Sequence, residues 1–122
     1  MVDQLDAGII INVQGDEPLI DPDLIDELCR RANESGADMV TPVVKIADPE
    51  VLISATTVKV VIRGDGTALY FSRSAVPFVR DVAPERWVEK NDFWLQVGTY
   101  AFRKDVLLEY LQWTETGHEK ME

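Results

Sequence analysis

The apolar residues of this chain do not keep one period, and each change of period marks an element. Gly8-Ile-Ile-Ile-Asn-Val13 is continuously apolar and β-branched through its centre. That pattern predicts a strand covered on both faces, central in a parallel sheet. Gln14-Gly-Asp-Glu-Pro18 then breaks the run with an acidic turn. Asp21-Pro22 combines an N-cap with a proline in the first helical turn, and Leu24, Ile25, Leu28, Cys29 and Ala32 recur on one helical face. Ser35-Gly36 predicts the stop. Residues 39–45 read as a second strand, so strand, helix and strand form a βαβ unit with a right-handed crossover. Pro42 makes that second strand irregular or places it at an edge.

Further along, Val58-Lys-Val-Val-Ile62 and Ala68-Leu-Tyr-Phe71 flank Gly64-Asp65-Gly66, the signature of an antiparallel hairpin, so the sheet is expected to be mixed. Residues 77–92 carry two prolines and many charges with little periodicity, which predicts a long exposed excursion that serves function or a partner subunit. Strand character returns over 93–102. Val106, Leu107, Tyr110 and Leu111 then lie at helical spacing in a helix expected over 105–113, and another opens at Thr116 or Gly117. The first strand arrives with no βα unit before it, and Gly117-His-Glu-Lys-Met-Glu122 stops in mid-pattern. The chain therefore reads as an internal portion of a larger α/β domain.

Composition narrows the classes of function. At 122 residues and 46% hydrophobic content, the chain has the size and apolar material of a globular domain. Its net charge of −10, with no basic cluster, excludes nucleic acid and anionic membrane as expected partners. A phosphate-bearing small ligand stays open, because a divalent cation reverses the charge of a carboxylate site. The single cysteine, Cys29, excludes an internal disulfide and fits a reducing compartment, so the cytoplasm is the expected location. The apolar runs are too short to span a bilayer, and the N-terminus lacks the pattern of a secretory signal.

In open α/β sheets ligands bind beyond the carboxyl ends of strands, which is where Gln14, Gly15, Asp16 and Glu17 fall. A carboxylate there can hold Mg²⁺, a hard cation commonly shared between one or two carboxylates and substrate phosphates. Taken alone, the turn reads more readily as a strand-to-helix connection with solvated acids than as a metal site. Lys59, Arg73 and Tyr100 are further candidates, each with a plain alternative: an outward side chain, a surface charge, a core aromatic. Cys29 reads as a small core residue and His118 as a solvated one. Gly64-Asp65-Gly66 joins two strands and opens no helix, so it lacks the setting of a nucleotide loop.

Read in order, Ile11-Asn-Val-Gln-Gly-Asp-Glu-Pro18, Val58-Lys-Val-Val61, Ala68-Leu-Tyr-Phe-Ser-Arg73 with Pro77, and Val97-Gly-Thr-Tyr-Ala-Phe-Arg103 resemble successive motifs of the 3-deoxy-manno-octulosonate (Kdo) cytidylyltransferases, the CMP-Kdo synthetases of lipopolysaccharide synthesis. Four ordered blocks are more specific than any one of them. The resemblance implies a Rossmann-like α/β nucleotidyltransferase fold with a mixed, mainly parallel sheet, incomplete at both ends. The 122 residues would be the central part of a single domain, inactive alone. It implies an enzyme that makes CMP-Kdo and pyrophosphate from CTP and Kdo with Mg²⁺, as a homodimer. By position, Asp16 matches the metal-binding aspartate, Gln14 a sugar contact, Arg73 a partner for the sugar carboxylate, and Tyr100 a residue lining the sugar pocket. Lys59 lies in a matching strand without an assigned role, and Glu17 has none either.

Two departures bear on these expectations. Where relatives commonly carry a histidine four residues before the pocket tyrosine, this chain has Gln96, which hydrogen-bonds to substrate without a titrating charge. The family's N-terminal CTP loop and its second metal-binding aspartate are not in the chain. A CMP-sialic acid synthetase or another sugar nucleotidyltransferase is the nearest alternative. From another class come a phospho-acceptor receiver module, disfavoured by the antiparallel hairpin and the small number of helices, and a non-catalytic dimerising piece.

Overall fold

The computed structural model describes residues 8–15 and 19–116, which include seven strands and four α-helices. They fall into two compact units, one of Met1–Thr41 with Thr99–Glu122 and one of Pro42–Gly98.

In the first unit, strand β1 (Ile9–Asn12) leads to helix α1 (Pro22–Ser35), strand β2 (Met39–Val40), strand β7 (Tyr100–Arg103) and helix α4 (Lys104–Tyr110). Helix α1 starts and stops where its sequence predicts. The Asp21 carboxylate accepts from the Asp23 amide at 2.9 Å, Pro22 occupies the first turn, and Gly36 closes the helix in the left-handed region at φ 64°. An amide left without a partner at a helix start is costly, and the aspartate meets that need. On the other side, Leu28 and Ala32 are buried against Ala101 of β7, with Ile9, Ile11, Leu24 and Val40 around them. On the exposed side Arg30 and Arg31 reach Glu27, and Arg30 also reaches Glu34 at 2.7 Å. These i,i+3 and i,i+4 pairs brace the helix locally.

The strand order in this unit is β1-β7-β2, with β1 and β2 each antiparallel to β7. The α/β class holds, but β1 is at an edge among the described strands, not in the centre of a parallel sheet. Strands β1 and β2 still run parallel to each other, as the βαβ reading requires. They are not neighbours, because β7 inserts between them and supplies both with ladder partners. A continuous apolar run does not reveal such an insertion, since the inserted strand lies some 60 positions later in the sequence (Met39 pairs with Phe102).

The second unit holds strand β3 (Val43–Lys45), helix α2 (Pro49–Ile53), strands β4 (Lys59–Ile62) and β5 (Ala68–Ser72), a 3₁₀ turn (Pro84–Arg86), helix α3 (Trp87–Lys90) and strand β6 (Trp94–Gln96). Its strand order is β3-β6-β4-β5 and every pairing is antiparallel. A mainly parallel sheet is thus absent among the described residues. The hairpin forms as expected. Asp65 accepts from the Thr67 amide at 2.9 Å and hydroxyl at 2.6 Å, while Gly66 takes φ 87°, a conformation open to glycine at little cost.

Two strands expected to be continuous are each broken. Residues 39–45 divide at Thr41-Pro42 and residues 93–102 divide at 97–99, so each contributes one piece to each unit. Pro42 has no amide hydrogen for a ladder, and its carbonyl accepts from Val97 at 3.0 Å, while Thr41 Oγ1 donates to the Thr99 carbonyl at 2.9 Å. Helix α4 ends at Tyr110, short of the expected Trp113, and the helix expected from Thr116 or Gly117 lies outside the described residues, as does His118.

The excursion over 77–92 also needs correction. Much of its surface is exposed, but Trp87 is buried and joins Ile46, Leu52 and Phe93 in the core, with Val79, Val82 and Val88 packed around them. The indole stacks on Phe93 at 6.2 Å, meets Phe78 edge-on at 5.1 Å, and donates from Nε1 to the Val82 carbonyl at 2.8 Å. Charges between the apolar residues hide this anchor from a periodicity reading.

Phe93 is 1% exposed and Phe78 is 77% exposed, so the two phenylalanines against one indole separate burial from contact. Phe93→Ala is expected to cost about 3–5 kcal/mol in urea unfolding, and Phe78→Ala about 1 kcal/mol or less. Equal costs would contradict this assignment of the core. The Glu27 carboxyl is lowered to about 2 from 4.5 by hydrogen bonds from Arg30 and then Arg31. Its contribution is therefore present above pH 4.5 and lost as pH falls through about 2. A carboxyl-detected NMR titration should show that low midpoint, and a midpoint near 4.5 would show the pairs to be unformed in solution.

Candidate functional site

In the second unit the chemistry gathers where β4 and β5 meet the loop over 54–57. Strand β4 has a hydrogen-bonded neighbour on each edge, and Lys59 and Val60 are both buried although they point to opposite faces, so both faces are covered at this point. A lysine in that position must find oxygen inside the protein. Lys59 Nζ donates to the Ser54 carbonyl at 2.7 Å, the Thr57 carbonyl at 2.8 Å and Thr57 Oγ1 at 3.3 Å, using all three ammonium hydrogens. No described carboxylate pairs with it. Burial pushes the ammonium pKa down, and the nearby Arg73 guanidinium adds to that shift.

Register explains why Arg73 is there. Lys59 lies opposite Ser72, so the next residue after β5 arrives beside the loop that precedes β4. Arg73 Nη1 donates to the carbonyls of Ala55 at 3.3 Å and Thr56 at 3.4 Å. The carbonyls of four consecutive residues, Ser54, Ala55, Thr56 and Thr57, therefore all accept from one of two cations. The loop is held at its other side too, where Thr57 Oγ1 donates to the Val51 carbonyl at 2.8 Å and the Ser54 amide to Glu50 O at 3.0 Å.

Arg73 is also distinguished by what it lacks. Arg30, Arg31, Arg80, Arg86 and Arg103 each pair with a carboxylate. Arg63 is taken up by Thr67 and Ala68 at the hairpin turn. Arg73 is exposed, meets no described carboxylate, and its fork keeps donors beyond those spent on the loop. In a chain of net charge −10 this exposed guanidinium is available to an anion.

Gln96 ends β6, half-buried, and its amide donates to the Val58 carbonyl at 2.9 Å. Extending the β4 registers by one residue sets Val58 opposite both Gln96 and Arg73. The two expected substrate residues thus share one end of this sheet, about 10 Å apart across two strand spacings.

Gln14 and Tyr100 belong to the first unit. Asn12 pairs with Tyr100, so the carboxyl end of β1 and the amino end of β7 lie together, and Gln14 follows two residues beyond, exposed. Asp16 lies outside the described residues, as does Glu17. Tyr100 stacks on Phe102 at 5.7 Å and lines a cavity of about 360 Å³ with Met39, Phe102, Val106, Tyr110 and Trp113. No side chain of that lining is charged, so this cavity suits apolar contact and not a sugar acid. Beside Tyr100, Thr99 is fully buried, and its Oγ1 has no hydrogen-bond partner among the described residues. Cys29 is half-buried on α1, in keeping with a packing role.

Among the described residues no three His, Cys, Asp or Glu side chains gather as a metal site. Asp16, the expected Mg²⁺ ligand, lies outside the described residues. Two features escaped the sequence reading. Helix α2 carries the same Asp-Pro start as α1, with Asp48 accepting from the Glu50 amide at 2.9 Å. The buried role of Lys59 was signalled by its place within an otherwise apolar run, Val58-Lys-Val-Val-Ile62.

Comparison with known proteins identifies the family. A sequence model described as cytidylyltransferase matches residues 1–122. The chain is 39% identical to 3-deoxy-manno-octulosonate cytidylyltransferase 2 of Actinobacillus pleuropneumoniae serotype 5b over 96% of its own length and 48% of the relative's. It is 40% identical to the Haemophilus ducreyi 3-deoxy-manno-octulosonate cytidylyltransferase, covering 96% of the chain and 47% of that protein. Against the Chlamydia trachomatis serovar L2 enzyme of the same name identity is 43%, over 87% of the chain and 39% of the relative. A solved structure of CMP:2-keto-3-deoxy-manno-octonic acid synthetase complexed with CTP superimposes with a TM-score of 0.85 at 36% identity, over 98% of this chain and 47% of that one. The chain spans about half the length of the curated relatives it matches. On these matches, and with the motifs read in order along it, the chain belongs to the cytidylyltransferase family.

Proposed function

We propose that this chain is the portion of a cytidylyltransferase that engages the sugar acid, in a protein that transfers the cytidylyl group of CTP to Kdo for lipopolysaccharide synthesis. The observation that carries the proposal is the likeness to a CTP-complexed synthetase over 98% of the chain. In the reaction the anomeric hydroxyl oxygen of the sugar bonds to the α-phosphorus and loses its proton, and the bond to the β-phosphate breaks to release pyrophosphate. Two anions must be brought together in one orientation, so positioning and charge neutralisation matter more than a covalent intermediate.

Arg73 supplies the neutralisation on the sugar side. It is exposed and meets no described carboxylate, and its planar fork suits a sugar carboxylate. Gln96, at the same end of the sheet, supplies a neutral hydrogen-bonding group, and Gln14 and Tyr100 are proposed sugar contacts by their places in the ordered motifs. Mg²⁺ belongs to the proposal with Asp16 as its ligand, supported by a position just past the carboxyl end of β1 next to Gly15. Bound there, the cation would take charge from the phosphates. The proposal extends to a cytoplasmic homodimer. A single cysteine fits a reducing compartment, and no helix among the described residues is long and apolar enough to cross a membrane.

Pyrophosphate release by the longer protein that carries this sequence, given CTP, Mg²⁺ and a panel of sugar acids, tests the proposal. Release is expected with Kdo and is expected to stop on chelation of the metal. Arg73→Gln should raise the KM for Kdo about 10- to 100-fold, as loss of a charge-assisted hydrogen bond implies, and leave the KM for CTP within about twofold. Preference for a sialic acid would favour the nearest alternative, and release with no sugar acid would refute the assignment.

A further inference from the structure

Lys59 sits outside the direct contacts just assigned, yet its ammonium is the most buried charge described in the chain. It is 0% exposed and meets only oxygens of residues 54–57. The same short loop offers its two middle carbonyls, Ala55 and Thr56, to Arg73. Lys59 therefore grips the outer carbonyls of the loop and Arg73 rests on the inner ones. If the outer grip is removed, the inner carbonyls lose the geometry that meets the guanidinium. The hydrogen bonds to Arg73, at 3.3 and 3.4 Å, are long enough to steady the fork without consuming it.

We propose that Lys59 is a positioning residue for sugar-acid binding: through the loop over 54–57 it presents the Arg73 guanidinium to the substrate carboxylate. The role rests on the reading of Arg73 given above. It assigns to Lys59 a specific effect on one substrate, beyond a general contribution to folding. An arginine on a flexible stem loses side-chain freedom when it binds, and a loop that holds it beforehand reduces that loss. A lysine whose three donors are all met by one loop is suited to fixing that loop.

The test is a double-mutant cycle in the longer protein, with CTP and Kdo as substrates. Lys59→Met is expected to raise the KM for Kdo about tenfold while kcat and the KM for CTP stay within about twofold. Lys59→Arg, which keeps the charge on a differently shaped donor, should raise it severalfold. In an Arg73→Gln background Lys59→Met should have no further effect on the KM for Kdo, because its route of action is gone. An unchanged KM in Lys59→Met, or an equal rise in both backgrounds, would overturn the proposal. If Lys59→Met does not fold, Lys59→Arg carries the cycle with the same two criteria.

A readout free of turnover separates this proposal from the function on which it rests. In the longer protein without substrates, Arg73 side-chain NMR should show slowed rotation of the guanidinium, which Lys59→Arg should weaken and Lys59→Met abolish. Absence of transfer with retained coupling in the NMR experiment would count against the proposed function alone. Arg73 signals indifferent to residue 59 would overturn the positioning role whatever the activity.

Discussion

A buried ammonium costs several kcal/mol of lost hydration unless oxygens replace the water, and the second unit is organised around meeting that demand at Lys59. No carboxylate answers it. The answer comes from backbone carbonyls and one hydroxyl of the loop that precedes its own strand. Burial, and then the neighbouring Arg73 guanidinium, hold the pKa of Lys59 below its usual value, and no described carboxylate offsets that shift. The arrangement thus keeps two cations close together in an acidic chain, one locked inside and one facing out.

The rest of the fold supplies the frame. Lys59 is buried on one face of β4, and the hairpin register delivers Arg73 to the loop. The aromatic stack of Trp87 on Phe93 and the packing of Leu52 fix helix α2, whose last turn leads into the same loop. In the first unit, α1 packs against β7 through Ala101, where a small residue allows close approach, and Tyr100 stands next to it at the strand end. Each unit presents its expected substrate residues at or just beyond strand ends.

Local signals were readable in the sequence where the physics is local. Asp21-Pro22 and Gly36 marked α1 because capping depends on a few adjacent residues, and Gly64-Asp65-Gly66 marked the hairpin for the same reason. The insertion of β7 between β1 and β2 was not readable, since it depends on pairing across a long stretch of sequence that no local period encodes. The breaks at Pro42 and near Gly98 were half-readable: the proline was noticed, and its consequence for two sheets was not. Among site residues, Arg73, Gln96, Gln14 and Tyr100 came from ordered motifs. The structure gave Arg73 a physical reason, since five other arginines are occupied by ion pairs and Arg63 is engaged at the hairpin turn. The carbonyl clamp was hidden because backbone acceptors leave no mark in a sequence.

The claim that Arg73, held by a loop that Lys59 fixes, receives the sugar carboxylate is tested most directly by a crystal structure of the longer protein with CTP and Kdo bound. The account predicts the Kdo carboxylate within hydrogen-bonding distance of the Arg73 guanidinium, with Lys59 Nζ still on the carbonyls of Ser54 and Thr57. A carboxylate bound elsewhere, or a Lys59 withdrawn from the loop in the complex, would contradict it.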